Sequence, residues 1–215
     1  MISLDINTMA MLRDMSAVIL AGGASKRFGG RPKSGIVIDG QTIISRLTGI
    51  LKDIFRELII VTNKPDEYSE IRSCIITPDI FRNAGPLGGI HAGMNISSFQ
   101  ASFVVASDMP FVEGSFIEKQ ADYFEKNSFD IVVPRSGRFI EPLHSIYSRS
   151  VLGSLEEFLL SGEKQAVWRF LEKVNTGYFE IAENQSNDIF MNINYPSDTD
   201  IAKKIMNERH KNLLP

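Results

Sequence analysis

The chain has 215 residues, 43% of them hydrophobic and 23% charged, with a formal net charge of −3 and a sequence pI near 5.7. That length fits one domain able to bury a core without covalent staples, and the acidic balance excludes a general nucleic-acid binder. The single Cys74 excludes an internal disulfide, the three histidines lie too far apart for zinc-ligand spacing, and no window approaches the ~18 apolar residues of a membrane span. A reducing cytoplasm is the expected location.

Residues 1–15 carry Asp5, Arg13 and Asp14 without a continuous apolar stretch. They read as a loose leader rather than a signal peptide, and 16–215 reads as one domain. Ala17–Leu20 is a short uncharged aliphatic run, the pattern of a strand buried on both faces of a parallel sheet. It breaks into Ala21-Gly-Gly-Ala-Ser-Lys-Arg-Phe-Gly-Gly-Arg-Pro-Lys33, a glycine-rich loop with four cations in its last eight residues. No Asp or Glu lies between Asp14 and Asp39. Lys26, Arg27, Arg31 and Lys33 repel one another unless an anion sits among them. Glycines at 22 and 23 leave backbone N–H groups open to such an anion, so the stretch reads as a phosphate-binding loop. It is neither a P-loop, which needs Gly-Lys-Ser/Thr, nor a G-x-G-x-x-G dinucleotide turn.

Ile36–Gly40 reads as a short extended piece and turn, and apolar residues from Ile43 to Ile54 recur at helical spacing across 42–55. Strands are expected at Leu58–Val61, Ile75–Pro78, Phe103–Ala106, Ile131–Pro134 and Ile140–Tyr147, with late strands at Tyr178–Ala182 and Phe190–Ile193. Helices are expected at 69–72, from Gly85 to Ser97, and at 115–126, 150–160, 165–174 and 197–208. Strands alternating with helices are the signature of a three-layer α/β/α fold with a mainly parallel, Rossmann-like sheet.

In such folds ligands bind beyond the carboxyl ends of the strands. Asp108, directly after an apolar strand and fixed by Met109-Pro110, is placed to hold a hard cation such as Mg2+, which takes few protein carboxylates and keeps phosphate oxygens and water; the alternative is a helix cap. Asp79 reads as a nucleoside contact or an Asx-turn residue. Asn63 is a base contact or a turn residue before Lys64-Pro65. Gly85, Gly88 and Gly89 either admit a base or ribose or shape a helix entry. His91, His144 and Trp168 read as packing residues.

Leu20-Ala-Gly-Gly23, Ser25, Arg27-Phe-Gly-Gly30 and Pro32-Lys33 resemble the signature loop of nucleotidyltransferases with the nucleotide-diphospho-sugar transferase fold. Gly85-Pro-Leu-Gly-Gly89, Asp108-Met-Pro-Phe111, Glu141-Pro-Leu-His-Ser-Ile-Tyr147 and Asn192-Ile-Asn194 narrow the resemblance to molybdenum cofactor guanylyltransferases. The resemblance spans about residues 16–206 and implies transfer of GMP from GTP to the phosphate of molybdopterin, in its molybdenum-loaded form, with Mg2+, releasing pyrophosphate. It implies that Leu20, Ala21, Gly22, Gly23 and Lys33 bind GTP and that Arg27 steadies phosphates. Asp79, with Asn63 or Thr62, would meet the nucleoside, and Gly85 and Gly88 would line its site. Asp108 would hold nucleotide and metal, and Asn192 and Asn194 would lie near pterin or metal. Expected partners are these small molecules and, transiently, proteins that deliver or accept molybdopterin; neither nucleic acid nor membrane is expected, and the chain should be a monomer or weak oligomer. The competing readings are a cytidylyl or sugar-phosphate nucleotidyltransferase, with Leu20-Ala-Gly-Gly favouring guanylyl transfer, and a non-catalytic cofactor carrier.

Overall fold

A computed structural model describes residue 12 and residues 14–22, 32–181 and 187–213. In chain order its elements are β1 (Met15–Leu20), the hairpin β2 (Val37–Ile38) and β3 (Gln41–Thr42), α1 (Ile43–Ile54), β4 (Glu57–Val61), β5 (Ile75–Thr77), α2 (Gly85–Ile96), β6 (Ala101–Ala106), α3 (Gly114–Lys126), β7 (Ile131–Ser136), β8 (Phe139–Ile140), β9 (His144–Ser148), α4 (Leu152–Leu160), α5 (Val167–Leu171), β10 (Thr176–Glu180) and α6 (Pro196–Leu213), with short 3-10 turns between.

The uncharged run of β1 has no alternation to leave one face wet, so it must be covered on both faces and both edges. It pairs in parallel with β4 on one side and β6 on the other. The main sheet runs β10-β7-β9-β6-β1-β4-β5, with β8 added against β7. Among the described strands of this sheet, only β9, against β6 and β7, and β8, against β7, pair antiparallel. Successive residues of β1 serve opposite faces, as the two-residue period of a strand requires. Ile19 packs with Leu47, Leu51 and Ile117 under α1 and α3, and Val18 packs with Ile90, Leu155 and Phe170 under α2, α4 and α5. The three-layer α/β/α architecture follows. A smaller cluster joins Ile38 and Ile43 to Ile193, Ala202 and Met206 of the chain end.

Local chemistry accounts for the element ends. Thr42 caps α1 by accepting from the Ser45 N–H at 3.2 Å. Asp39 and Gly40, with φ of 53° and 74°, form the left-handed corner between β2 and β3.

Several boundaries differ from the sequence reading. Leu12 and Met15, at the end of the stretch read as a leader, are buried in the core. The 3-10 turn at Pro65–Tyr68 replaces the helix expected at 69–72, because Pro65 supplies a preset first helical residue. The late strand begins at Thr176, pairing with Ile131 of β7, and the helix expected over 165–174 is confined to Val167–Leu171. Phe190–Ile193 is not a strand: a 3-10 turn covers Asn187–Phe190, and the Ile193 N–H bonds the Asp108 carbonyl outside the ladder at 2.9 Å. Trp168 is 50% exposed, with Arg169 stacked over it, so it is not a core residue. No helix among the described residues is long and apolar enough to cross a membrane.

A Cβ on Gly93 would come within 2.2 Å of Val18 Cγ1, whereas one on exposed Gly49 meets nothing within 4 Å. Gly93→Ala should therefore destabilise by about 1–3 kcal/mol through overpacking of α2 on β1. Gly49→Ala should stabilise by about 0.5–1 kcal/mol. Urea unfolding of both variants checks the contrast.

Candidate active site

Because β1, β4, β5 and β6 run in parallel, their carboxyl ends share one rim, and the antiparallel β9 brings its beginning to the same edge. The Ala21 N–H continues the ladder to the Val61 carbonyl at 2.9 Å, and the Ser107 N–H bonds the Leu20 carbonyl at 3.1 Å. The chain thus leaves β1 through Ala21 and Gly22 between the ends of β4 and β6. Gly23 and Arg27 lie outside the described residues.

Lys33 returns to this rim at the start of a 3-10 turn. The next residue fixes that turn: Ser34 is buried, and its hydroxyl lies 2.8 Å from the Tyr68 hydroxyl. The Lys33 ammonium donates to Asp108 Oδ2 at 2.9 Å and to Asn194 Oδ1 at 2.9 Å. The Lys33 and Asp108 side chains are 23% and 18% exposed, shielded enough to strengthen the pair yet open to a ligand. The carboxyl and the ammonium are thus bonded directly.

Asn194 is held by its surroundings. Asp198, in the first turn of α6, accepts the N–H groups of Asn194 and Tyr195 at 2.7 Å each, the reach-back half of a capping box. Asn192 turns its amide onto the Phe190 carbonyl at 3.1 Å and does not bond Lys33.

At the other end of the rim Asn63 and Asp79 form a two-bond ring: Asn63 Nδ2 donates to Asp79 Oδ2 at 2.9 Å, and the Asp79 N–H donates to Asn63 Oδ1 at 3.2 Å. Thr62 is buried, with its hydroxyl accepting the Lys64 N–H, so Asn63 is the polar side chain presented there. Gly85 has φ of 59° and starts α2 from a left-handed conformation. A Cβ on Gly88 would meet the Phe81 carbonyl at 2.7 Å, and one on Gly89 would meet Leu20 Cδ2 at 3.0 Å. These two glycines let the helix start close against the rim.

His91 is buried and pairs with Glu156 at 2.9 Å. His144 is fully buried, edge-on to Phe103, Phe116 and Phe190 with centroids 4.9–5.4 Å away. Neither ring nitrogen has a partner among the described residues, and burial pushes its pKa down to about 4. Burial also pushes the Glu141 carboxyl up to about 7. Sequence reasoning quoted Glu141 within a motif and assigned it no role; the partial burial that marks it is a tertiary property.

A model of the MobA-like NTP transferase domain matches residues 17–177. The chain belongs to this family of nucleotidyltransferases. A relative from Peptoclostridium acidaminophilum, named as a probable molybdenum cofactor guanylyltransferase, is 39% identical over 76% of this chain and 75% of its own length. The molybdenum cofactor guanylyltransferase of Desulfosudis oleivorans is 36% identical over 69% of this chain and 72% of its own. The crystal structure of molybdopterin-guanine dinucleotide biosynthesis protein A from Archaeoglobus fulgidus superposes with a TM-score of 0.78 at 26% identity, covering 90% of this chain and all of that one. The family match therefore covers the strands that carry Leu20, Asn63, Asp79, Asp108 and Glu141, while Asn192 and Asn194 lie beyond its last residue.

In this MobA-like chain His144 and Glu141 oppose each other in pH dependence. His144 titrates lower folded than unfolded, so stability falls as pH drops from 6.5 towards 4, by at most about 1.4 kcal/mol per unit. Glu141 titrates higher folded than unfolded, so stability falls as pH rises from 4.5 through about 7. His144→Phe should gain on the parent as pH falls below 6.5, and Glu141→Gln should gain as pH rises above 5. Urea unfolding from pH 5 to 8 checks this; profiles parallel to the parent would refute it.

Proposed function

We propose that the chain transfers GMP from GTP to the terminal phosphate of molybdopterin, with or without its molybdenum, giving the guanine dinucleotide and pyrophosphate. The observation that carries the reading is Lys33 held between Asp108 and Asn194 beside the chain's exit from β1, in a family whose relatives bear the guanylyltransferase name. An oxygen of the acceptor phosphate attacks the α-phosphorus of GTP, and the bond to the pyrophosphate oxygen breaks. The acceptor oxygen is already a nucleophile, so no covalent enzyme intermediate is needed, and positioning with charge neutralisation lowers the barrier.

Lys33 and Arg27 neutralise the triphosphate, and Leu20, Ala21, Gly22 and Gly23 bring backbone against it. Asn63 and Asp79 meet the nucleoside, with Gly85 and Gly88 at the start of α2 beside them. Asn192 and Asn194 face the acceptor. Asp108 and Asn194 already offer a carboxylate and an amide oxygen to one cation, the Lys33 ammonium, and this hard-oxygen donor pair suits Mg2+. Bound there, magnesium would neutralise charge on phosphate oxygens. The expected setting is the cytoplasm.

Asp108→Ala should abolish pyrophosphate release and leave unfolding little changed, because it removes a rim group and no core volume. Lys33→Ala should weaken GTP binding by roughly 10- to 100-fold, the worth of a charged hydrogen bond, and guanosine binding far less. Calorimetry reads that contrast, and equal losses would move Lys33 off the phosphates. Tight CTP with weak GTP binding would replace this reading with cytidylyl transfer; GTP binding without pyrophosphate release in the presence of molybdopterin would make the chain a carrier.

A further inference from the structure

The stretch from Glu141 to Tyr147 builds a bulge on the rim that the reading above does not use. Ile140 of β8 lies opposite Arg135, and the Glu141 N–H reaches the Pro134 carbonyl at 3.0 Å. Pairing resumes with Ile146 opposite Val132. The chain therefore takes five residues, 141 to 145, where β7 takes two, 133 and 134, and the excess is pushed outward beside β6. Bulges of this kind re-aim side chains at sheet ends.

Each displaced carbonyl is secured. The Glu141 carbonyl accepts the Ser145 hydroxyl at 2.7 Å and the His144 N–H at 3.1 Å. The Pro142 carbonyl accepts the Tyr147 hydroxyl at 2.9 Å. The Leu143 carbonyl accepts the Ala106 N–H at 3.0 Å, two residues before Asp108. The bulge is a fixed platform one strand away from that carboxylate.

The register also gives the face. Pro134 is flanked by Glu141 on one side and by Phe179 of β10 on the other, so the three residues share one face of the sheet. Phe179 packs on Phe116, and Phe116 packs on Phe190, which leads into the segment carrying Asn192 and Asn194. Glu141 thus lies on the face that holds the acceptor-side asparagines. Its carboxyl is partly buried and has no hydrogen bond or ion pair among the described residues. Burial without a partner disfavours its charge at neutral pH, a cost tolerated where a ligand supplies the partner.

Strand order fixes which ligand. Along the rim stand Asp79 on β5, Asn63 on β4, Leu20 on β1, Asp108 on β6 and then Glu141. Glu141 is therefore four strand positions from Asp79, a lateral span of roughly 19 Å at about 4.8 Å per strand, and neighbours Asp108 in that order. It therefore lies across Asp108 from the nucleoside end, where the attacking phosphomonoester must enter.

We propose that Glu141 contacts the acceptor, its carboxyl oxygens accepting hydrogen bonds from N–H or O–H groups next to the acceptor's phosphate and so orienting that phosphate for attack. The proposal rests on the guanylyl-transfer reading, in which the acceptor is a reduced pterin rich in such donors. A carboxylate is a poor neighbour for a phosphate and a good one for these groups.

Steady-state pyrophosphate release by the full chain, with GTP, Mg2+ and molybdopterin under anaerobic conditions, tests it. Glu141→Ala should raise the KM for molybdopterin at least 10-fold, and Glu141→Gln, which keeps one acceptor oxygen, by less. In both variants the KM for GTP should stay within 2-fold of the parent and the melting temperature should not fall. An unchanged molybdopterin KM in both variants, or equal rises in both KM values, would overturn the Glu141 assignment while the parent's turnover upholds guanylyl transfer. A parent chain that releases no pyrophosphate would overturn the transfer reading and the proposal with it.

Discussion

The Lys33 ammonium, bonded at once to Asp108 and Asn194, is the contact on which the rest of the site depends. It joins three stretches that have no local reason to meet: the exit of the glycine loop, the end of β6 and the turn before α6. Each partner is independently braced, Lys33 by the buried Ser34–Tyr68 bond, Asn194 by Asp198, and the Asp108 backbone by Ile193. An ion pair that is only partly exposed gains strength from such bracing, since little side-chain entropy remains to be lost on forming it. The same partial exposure leaves the ammonium able to exchange a carboxylate for a phosphate.

Both ends of the rim follow from strand geometry. Parallel β1, β4, β5 and β6 deliver their ends to one edge, and the antiparallel β9 delivers its beginning there. Neutral and charged groups then fall into a spatial order along that edge, with the Asn63–Asp79 ring at one end and Glu141 beyond Asp108 at the other. A nucleotide and a phosphomonoester meeting near Asp108 fit that order without a large cavity. The stability cost is local: a buried imidazole among three phenylalanine rings and a carboxyl with no partner among the described residues.

The β1 run and the Asp just beyond β6 were legible because a strand buried on both faces, and the polar residue that follows such a strand, are local signals; residues 23–31 of the glycine loop lie outside the described residues. Asp79 and Asn63 were legible as rim residues, but their pairing was not, since it spans 16 positions. The reading failed at 190–193, where an apolar pattern resembled a strand; Ile193 is buried through α6 and bonds Asp108 instead of a ladder. Trp168 failed for a similar reason: aromatic neighbours at helical spacing suggest a core face, yet α5 is one short turn that buries only Phe170 and Leu171. Glu141 was not singled out by the sequence because partial burial and a bulge are properties of the packed sheet.

The small cluster that ties Ile38 and Ile43 to Ile193, Ala202 and Met206 has a temporal consequence. A ribosome releases the strand carrying Asp108 and the turn carrying Lys33 long before Asn194 and its supporting helix emerge. The central sheet can therefore begin to form during synthesis with the ammonium still lacking one of its two partners. Translation that stops short of α6, or proteolytic clipping before it, would leave a chain with its Asn63–Asp79 end in place and its Lys33–Asp108 end unfinished.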